Sequence, residues 1–315
     1  MTQMSTGSTV QAKKVFLVLN PVAGTSVVAG LRRALDHHFL PVETTCEVHE
    51  TAKGDLIEEI VREAQGRGYD MVVAAGGDGT VSAVAEGLVG TETPLGIIPL
   101  GTANVLAREL GIPVDLEGAC GLLAGAHGVT SIDAMKVGEK HYFTQVGIGI
   151  DAMMIRDTRR EDKRRFGRVA YIWTALTRLV GFQPRRFRIV ADDRQERLHA
   201  SQIVIANSGI LGQPPFRWGP DIEPHDGLLD VCIVRARTLL DYLSLGWHVV
   251  RGQHKQSPNV RYLRARRQIV IETDHPLPVQ ADGEIIGETP VQVELVAAAV
   301  RVIVPETRED RAATP

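Results

Sequence analysis

The chain predicts a two-domain protein: an α/β half built on a parallel sheet, followed by an all-β sandwich. Three observations carry that expectation. Over residues 1–133, short apolar runs alternate with helical patterns, the order that produces a parallel sheet covered by helices on both faces. Three of those runs end in loops rich in Gly, Thr and Asn, with 15–19 leading into 20–24, 71–75 into 76–80, and 95–98 into 99–104. Beyond Ala134 the rhythm changes to short strands separated by turns, as in an antiparallel sandwich. The length of 315 residues and the 44% hydrophobic content are sufficient for two cores.

Taken in order, the first half reads as strand 15–19, helix 27–39, strand 44–49, helix 55–65, strand 71–75, helix 81–88, strand 95–99 and helix 103–110. Gly111 and Pro113 end that last helix, as a glycine just past the end and a following proline should. Helix 117–125 then leads to Ser131-Ile132-Asp133, where the boundary falls, giving a first domain of 1–133 and a second of 134–299. The second domain predicts strands 135–137, 141–146, 186–190, 198–206, 228–233, 268–273, 279–281, 291–295 and 299–304, with helix 239–251 beside them. Residues 309–315 are charged and small, the composition of a disordered tail.

The junction Gly76-Gly77-Asp78-Gly79-Thr80 carries the most chemistry. Its glycines let backbone N–H groups approach an anion closely, and the dipole of the following helix favours negative charge there. Thr80 is expected to cap that helix. Asp78 repels phosphate, so its place inside the loop makes sense if it holds a divalent cation or a proton; a magnesium nucleotide meets that need. A bare Gly-rich turn is the competing reading, and the recurrence of such loops on three neighbouring strands argues against it.

Composition limits the partners. No apolar run reaches the ~20 residues that span a bilayer, and residues 1–10 lack the character of a signal peptide, so a cytoplasmic protein is expected. Cys46, Cys120 and Cys232 are isolated and lack metal-type spacing, as buried reduced thiols do. His37-His38, His225 and His254 likewise show no ligand spacing. The net charge of −3 conceals an asymmetry. Segment 156–188 is strongly basic and interleaved with Val169, Tyr171, Ile172, Trp173, Leu176, Leu179, Val180 and Phe182, and segment 251–267 has six Lys/Arg and no acid. Such segments suit peripheral attachment to an anionic membrane surface, here the inner face. A packed surface helix with solvated arginines is the alternative. Nucleic acid ranks below both, because no nucleic-acid fold motif accompanies the charge.

Asn20-Pro21-x-x-Gly24, Gly76 to Thr80 and Leu100-Gly101-Thr102-x-Asn104-x-x-Ala107-Arg108 together resemble the diacylglycerol kinase and sphingosine kinase family of lipid kinases, bacterial diacylglycerol kinase type. Thr51-x-x-Gly54-Asp55, Asp133, the run 143–151, Pro224 to Asp230 and Asp282-Gly283-Glu284 extend the resemblance over nearly the whole chain. The glycine motif alone is shared with NAD kinases and phosphofructokinases, so the later motifs narrow the choice. Ala23 stands where the family usually has Ser, removing a phosphate donor, and Val105 where bacterial members often carry Asp, removing an acidic relay.

The resemblance implies an NAD kinase-like first domain completed by residues 300–308, with ATP and Mg2+ as cofactors and a lipid alcohol such as diacylglycerol as acceptor. Phosphoryl transfer needs a phosphate cradle, a cation and a carboxylate base. The cradle would use N–H groups of Gly76, Gly77, Gly79 and Gly101 with the hydroxyls of Thr80 and Thr102, while Asn20, Pro21, Gly24, Thr51 and Asn104 line the nucleotide crevice. Thr51 has a plain alternative role as N-cap of a helix from Ala52. Asp282 and Glu284 are the candidate bases, facing the lipid hydroxyl across an interdomain cleft, with Asp78 as the rival; Asp282-Gly283 is also an ordinary hairpin turn. A second cation site is implied at Glu223, Asp226 and the Leu228 carbonyl, with Asp133 orienting Asp78 or the metal. A soluble-metabolite kinase related to NAD kinase and a non-catalytic lipid-binding regulator are the other readings. The lipid acceptor and the oligomeric state, a homodimer included, stay open.

Overall fold

The computed structural model describes residues 13–157, 184–212 and 216–306. Most of the basic segment 156–188 and the tail 309–315 lie outside them. Contacts divide the chain into two units, Met1–Thr130 with Val300–Pro315, and Ser131–Ala299.

In the first unit, strands β1 (Lys14–Leu19), β2 (Thr45–Glu50), β3 (Met71–Gly76) and β4 (Leu95–Pro99) alternate with helices α1 (Thr25–Phe39), α2 (Ile57–Gln65) and α3 (Asp78–Leu88); α4 (Val105–Glu109) and α5 (Leu116–Ala124) follow. The strands pair in parallel in the order β2-β1-β3-β4. Every residue of β3 and β4 is buried, as expected where helices cover both faces of a parallel sheet. On one face, Val15, Leu17, Leu19, Val73 and Ala75 pack with Leu31, Ala34 and Leu35 of α1 and Ala119 and Leu123 of α5. On α3, Gly87 faces Val61 of α2 so closely that an added Cβ would lie 2.6 Å from the Val61 Cβ. Asp115 caps α5 by accepting the Gly118 N–H, and Gly111 has the expected positive φ of 68° just past α4.

Three local expectations fail here. The helix placed at 81–88 begins at Asp78, because extended Gly77 is its N-cap and no side chain caps it. The helix placed at 55–65 begins at Ile57, with Leu56 as its N-cap. Cys46 is only half-buried, unlike Cys120 and Cys232. Desolvation still pushes the Cys46 thiol up to about 11 and that of Cys120 to about 12, so both stay protonated.

The second unit holds β5 (Gly128–Val137), which begins just before the boundary, then β6 (Lys140–Tyr142), β7 (Gln145–Gly149), α6 (Ile150–Asp157), β8 (Arg185–Ala191), β9 (Arg194–Ala200), β10 (Gln202–Ala206), β11 (Leu229–Val234), α7 (Leu239–Val250), β12 (Val260–Ala265), β13 (Gln268–Thr273), β14 (Pro278–Ala281), β15 (Glu284–Glu288) and β16 (Val291–Val304). One antiparallel sheet runs β12-β11-β10-β7-β14-β15, and β16, β13, β8 and β9 form the other layer. Val146, Ile148, Ile203, Ile205 and Val231 of the first pack with Phe187, Ile189, Ile269 and Ile271 of the second to make one core, the arrangement of a β-sandwich. After Ala299 the last strand re-enters the first unit, where Val302 pairs with Leu95 of β4.

Two apolar runs read as single strands are each two. Run 198–206 breaks at Ser201, whose N–H and hydroxyl both go to the Val234 carbonyl; β9 pairs with β8 and β10 with β11 and β7, in different layers. Run 141–146 breaks at Phe143-Thr144, whose N–H groups are taken by Asp282. Conversely, 291–295 and 299–304 form one strand, while β12 and β15 were not expected.

Candidate functional site

The three Gly/Thr/Asn loops lie at the carboxyl ends of the adjacent strands β1, β3 and β4. In the order β2-β1-β3-β4 the chain leaves β1 in one direction and returns to β3 in the other, so the gap between them is the switch point where such sheets bind ligands. Asn20 and Thr80 meet there: Asn20 Nδ2 donates to Thr80 Oγ1 at 3.1 Å, and Asn20 Oδ1 accepts the Val22 N–H. Thr80 therefore spends its hydroxyl sideways and does not cap α3, correcting the sequence expectation. Asp78 and Gly79 occupy the first two positions of α3, whose N–H groups have no partner within the helix, and Gly79 is exposed.

The loop after β4 locks onto this turn. Leu100 N–H donates to the Gly76 carbonyl, and an added Cβ on Gly101 would lie 2.7 Å from both the Gly77 Cα and Asn104 Oδ1. Only glycine fits at 101. Asn104 sits at φ 49° and closes its own loop, accepting the Gly101 N–H at 2.9 Å and donating to the Gly101 carbonyl at 2.9 Å. The Gly101 N–H is thus unavailable to a phosphate, against expectation. Asp78 binds the other end, with Oδ2 accepting the Asn104 N–H at 3.0 Å and Oδ1 the Val105 N–H at 2.6 Å. It serves as the N-terminal anchor of α4, and Val105 takes part through its backbone.

Pro21, Gly24, Thr51 and Thr102 lie on the loops of the same sheet edge. Thr51 caps no helix: the Ala52 N–H goes to Asp55 Oδ2 at 2.8 Å, and α2 starts five residues further on. His37 and His38 also depart from the sequence reading. With Glu117, their ligand atoms lie within 4.8 Å of one another, and His38 Nε2 is 2.9 Å from Glu117 Oε2.

In the second unit, Asp282 and Gly283 form the two-residue turn between β14 and β15, with φ of 46° and 89°. Both values are positive, as the preferred hairpin turn requires. Asp282 is tied down by four donors: Oδ2 accepts the Phe143 N–H, and Oδ1 accepts the N–H groups of Thr144 and Gln145 and the Thr144 hydroxyl at 2.5 Å. Its carboxylate thus pins the turn to the head of β7. Glu284 is the first residue of β15 and is exposed; among the described residues no hydrogen bond or ion pair reaches its carboxylate.

Beneath the turn, Gln280 is fully buried, accepts the Gly283 N–H at 3.0 Å and donates to Asp151 Oδ2 at 3.0 Å. Asp151 enters the sequence reading only as the end of the run 143–151, Gln280 has no role there, and their contact spans 129 positions. Burial raises the Asp151 carboxyl from 3.8 to about 6, against the hydrogen bonds from Gln280 and the Ala152 N–H. The folded protein therefore takes up a proton between about pH 4 and 6, and the stability that this provides is lost as pH rises through 6. Asp151→Asn keeps an acceptor for Gln280 and removes the ionisation. Its stability relative to the parent should improve by on the order of 3 kcal/mol between pH 4 and 7.5. Urea unfolding at the two pH values measures this, and a difference that does not change with pH would contradict it.

Asp133 is buried and holds the turn before β11, with Oδ2 accepting the Gly227 N–H and Oδ1 the Ala298 N–H, both at 2.8 Å. Asp226 Oδ1 accepts the Leu228 N–H at 3.0 Å, and Glu223 lies 3.6 Å from His225. Burial raises the Asp226 carboxyl, with repulsion from Asp230 and Asp133 adding to it. The partner that Asp133 orients is thus the turn carrying Asp226.

The same unit contains an apolar cavity of about 230 Å³ between α7 and strands β11 and β12, lined by Phe216, Trp218, Tyr242, Leu245, Val249 and Tyr262 among others. Trp218 Nε1 donates to Gln145 Oε1 at 2.6 Å. Since the Gln145 N–H donates to Asp282, one residue joins the cavity wall to the hairpin turn.

Residues 14–137 match the model of the diacylglycerol kinase catalytic domain, and residues 144–304 that of the YegS C-terminal NAD kinase beta sandwich-like domain. An uncharacterized protein of Synechocystis sp. is 32% identical over 310 residues, covering 94% of this chain and 71% of that protein. The diacylglycerol kinase of Mycobacterium tuberculosis is 28% identical, covering 93% and 95%, and that of Bacillus subtilis 24%, covering 95% and 99%. The crystal structure of a diacylglycerol kinase from Bacillus anthracis superposes with a TM-score of 0.75 at 24% identity over 93% of this chain and 98% of that one, a likeness of fold. The two models follow one another along the chain, the first over the parallel sheet with its glycine-rich loops and the second over the sandwich with the Asp282-Gly283 turn, and the chain belongs to the diacylglycerol kinase family of lipid kinases.

Proposed function

We propose that this kinase transfers the γ-phosphoryl group of ATP to the hydroxyl of a lipid alcohol, diacylglycerol being the model acceptor. The observation that carries the lipid reading is the apolar cavity tethered through Trp218 and Gln145 to the Asp282-Gly283-Glu284 turn. An aromatic and aliphatic lining suits hydrocarbon, and a carboxylate on the turn tethered to it suits a hydroxyl.

In this reading the N–H groups of Asp78 and Gly79, aided by the α3 dipole, bind phosphate oxygens. The close contact of Gly77 with Gly101 keeps side chains out of the polyphosphate path. Asp78 fits Mg2+ in part: each oxygen has one N–H donor, and a carboxylate offers about four acceptor positions. When bound, the cation neutralises charge on the phosphates. With both oxygens anchoring α4, Asp78 is placed to hold a cation rather than to take a proton. Asp282, encircled by four donors, positions the turn, and Glu284 takes the acceptor's proton. Glu223, Asp226 and the Leu228 carbonyl form a second cation site, on which Asp133 acts through the turn it holds.

The test is radiolabelled ATP with magnesium and a total lipid extract. Label should move into the organic phase only when lipid is present, and EDTA should abolish the transfer. Label confined to a water-soluble product would establish the soluble-metabolite kinase, and ATP binding without transfer would establish the regulator.

A further inference from the structure

Helix α7 is twelve residues long and mostly apolar, with Asp241, Ser244 and His248 as its polar exceptions, a composition closer to that of a buried helix than of an ordinary surface one. Yet one of its faces is open. Leu240, Leu243, Trp247 and Val250 are 76%, 59%, 57% and 55% exposed, and their spacing of three, four and three places them on one stripe. The opposite face, Tyr242, Leu245 and Val249, lines the apolar cavity. The helix is therefore oriented, with one side committed to the sandwich and the other presented outward.

Charge identifies what the outward side meets. Among the residues of α7, Asp241 is the only acid and no Lys or Arg occurs; its carboxylate is turned back to the helix start, where Oδ2 accepts the N–H groups of Arg237 and Thr238 in a capping box. Cations flank both ends. Arg235 and Arg237 are exposed before the helix, and Arg251 follows it, stacked over the Trp247 ring at 4.2 Å. In the basic segment after α7, Lys255, Arg261, Arg264 and Arg267 pair with Asp221, Glu196, Asp230 and Asp193. Among the described residues Arg251 and Arg266 have no carboxylate partner. Trp beside Arg at the edge of an apolar stripe is the chemistry of the bilayer interface, where rings sit at headgroup level and guanidinium groups meet phosphate.

A second copy of the chain fits less well. A twelve-residue helix is roughly 18 Å long and 10 Å wide, a footprint of about 200 Å², well below the ~800 Å² that each partner contributes to a stable interface. A bilayer sets no such minimum, since interfacial helices of this kind bury only their apolar face.

We propose that the Leu240-Leu243-Trp247-Val250 face of α7 inserts into the headgroup boundary of a membrane containing anionic phospholipid, with Arg237 and Arg251 on lipid phosphates. It rests on no assumption about the acceptor, and it shares only Arg251 with the basic segments that sequence offered for membrane attachment.

The experiment is co-sedimentation of the full chain with vesicles of equimolar phosphatidylcholine and phosphatidylglycerol, and with phosphatidylcholine alone. The chain should partition to the mixed vesicles and lose binding as salt is raised. Leu243→Ser/Trp247→Ser should lower the partition coefficient at least tenfold, while the variant keeps a cooperative thermal transition because more than half of each side chain is exposed. Arg251→Gln should flatten the salt dependence. Lipid kinase activity on detergent-dispersed substrate should be retained by these variants while activity on vesicles falls. Unchanged partitioning of the folded double variant would overturn the proposal, as would a dimer in solution that the same substitutions dissociate. Loss of activity in every format with partitioning intact would count against the kinase reading alone.

Discussion

Glu284→Gln should reduce turnover by roughly 10²–10⁴-fold, the usual worth of a positioned general base, with nucleotide affinity and unfolding free energy unchanged. The expectation follows from the unequal treatment of three carboxylates. Asp78 gives both oxygens to the N–H groups at the start of α4, and Asp282 gives both of its own to residues 143–145. A base needs a lone pair facing substrate, and of the three only Glu284, exposed at the head of β15, has a carboxylate with no donor among the described residues, whereas the positions left on Asp78 suit the cation. Gln keeps the size of the side chain and its place in the hairpin but cannot accept a proton. Steady-state and single-turnover rates would check this beside calorimetric titration with ATP. Turnover within tenfold of the parent would transfer the role to another group.

How far the sequence discloses this machinery depends on the range of the contacts. The parallel sheet and its three loops are local features: apolar runs end at glycines, and adjacency follows from the βα order. The hairpin at Asp282-Gly283 is equally local, since two positive φ values select this residue pair. What the loops do with their side chains is not local. Thr80 is expected to cap its own helix, and it instead meets Asn20 from sixty residues away. Asp78 reaches residues 26 and 27 positions on, and the Asp282 contacts cross 137 to 139 positions. No periodicity encodes such pairings.

The misread strands have the same origin. Residues 198–206 hold a continuous apolar pattern through Ser201, but the chain changes layers there, a choice made by the strands on either side. The histidine pair joins Glu117 only once α1 and α5 lie together. The exposed stripe on α7 is hidden for a complementary reason. Its sequence is that of a core helix, and only burial of the opposite face reveals that half of it is unused.

Asp282→Asn should lose both stability and rate, in contrast to the neighbouring Glu284 variant. Asn tolerates the left-handed backbone at 46°, so turn strain does not change. The hydrogen bonds do. Aspartate presents two acceptor oxygens to three backbone N–H groups and a hydroxyl, whereas Asn presents one oxygen and must aim its NH₂ at a donor. At least one N–H is then left facing another donor, and the others lose their charge assistance, each worth about 1.5–3 kcal/mol against 0.5–1.5 for a neutral bond. Water recovers part of this at a half-exposed turn, leaving an expected loss of about 3 kcal/mol. Chemical denaturation would measure it, and amide exchange at Phe143, Thr144 and Gln145 should rise most. Because the turn also carries Glu284, turnover should fall even where the variant is fully folded, and the Glu284→Gln/Asp282→Asn double variant should show no further loss of rate beyond Glu284→Gln alone. Additive losses in rate would mean that Asp282 acts on the substrate by itself, and an unchanged denaturation midpoint would mean that the four hydrogen bonds do not hold the turn.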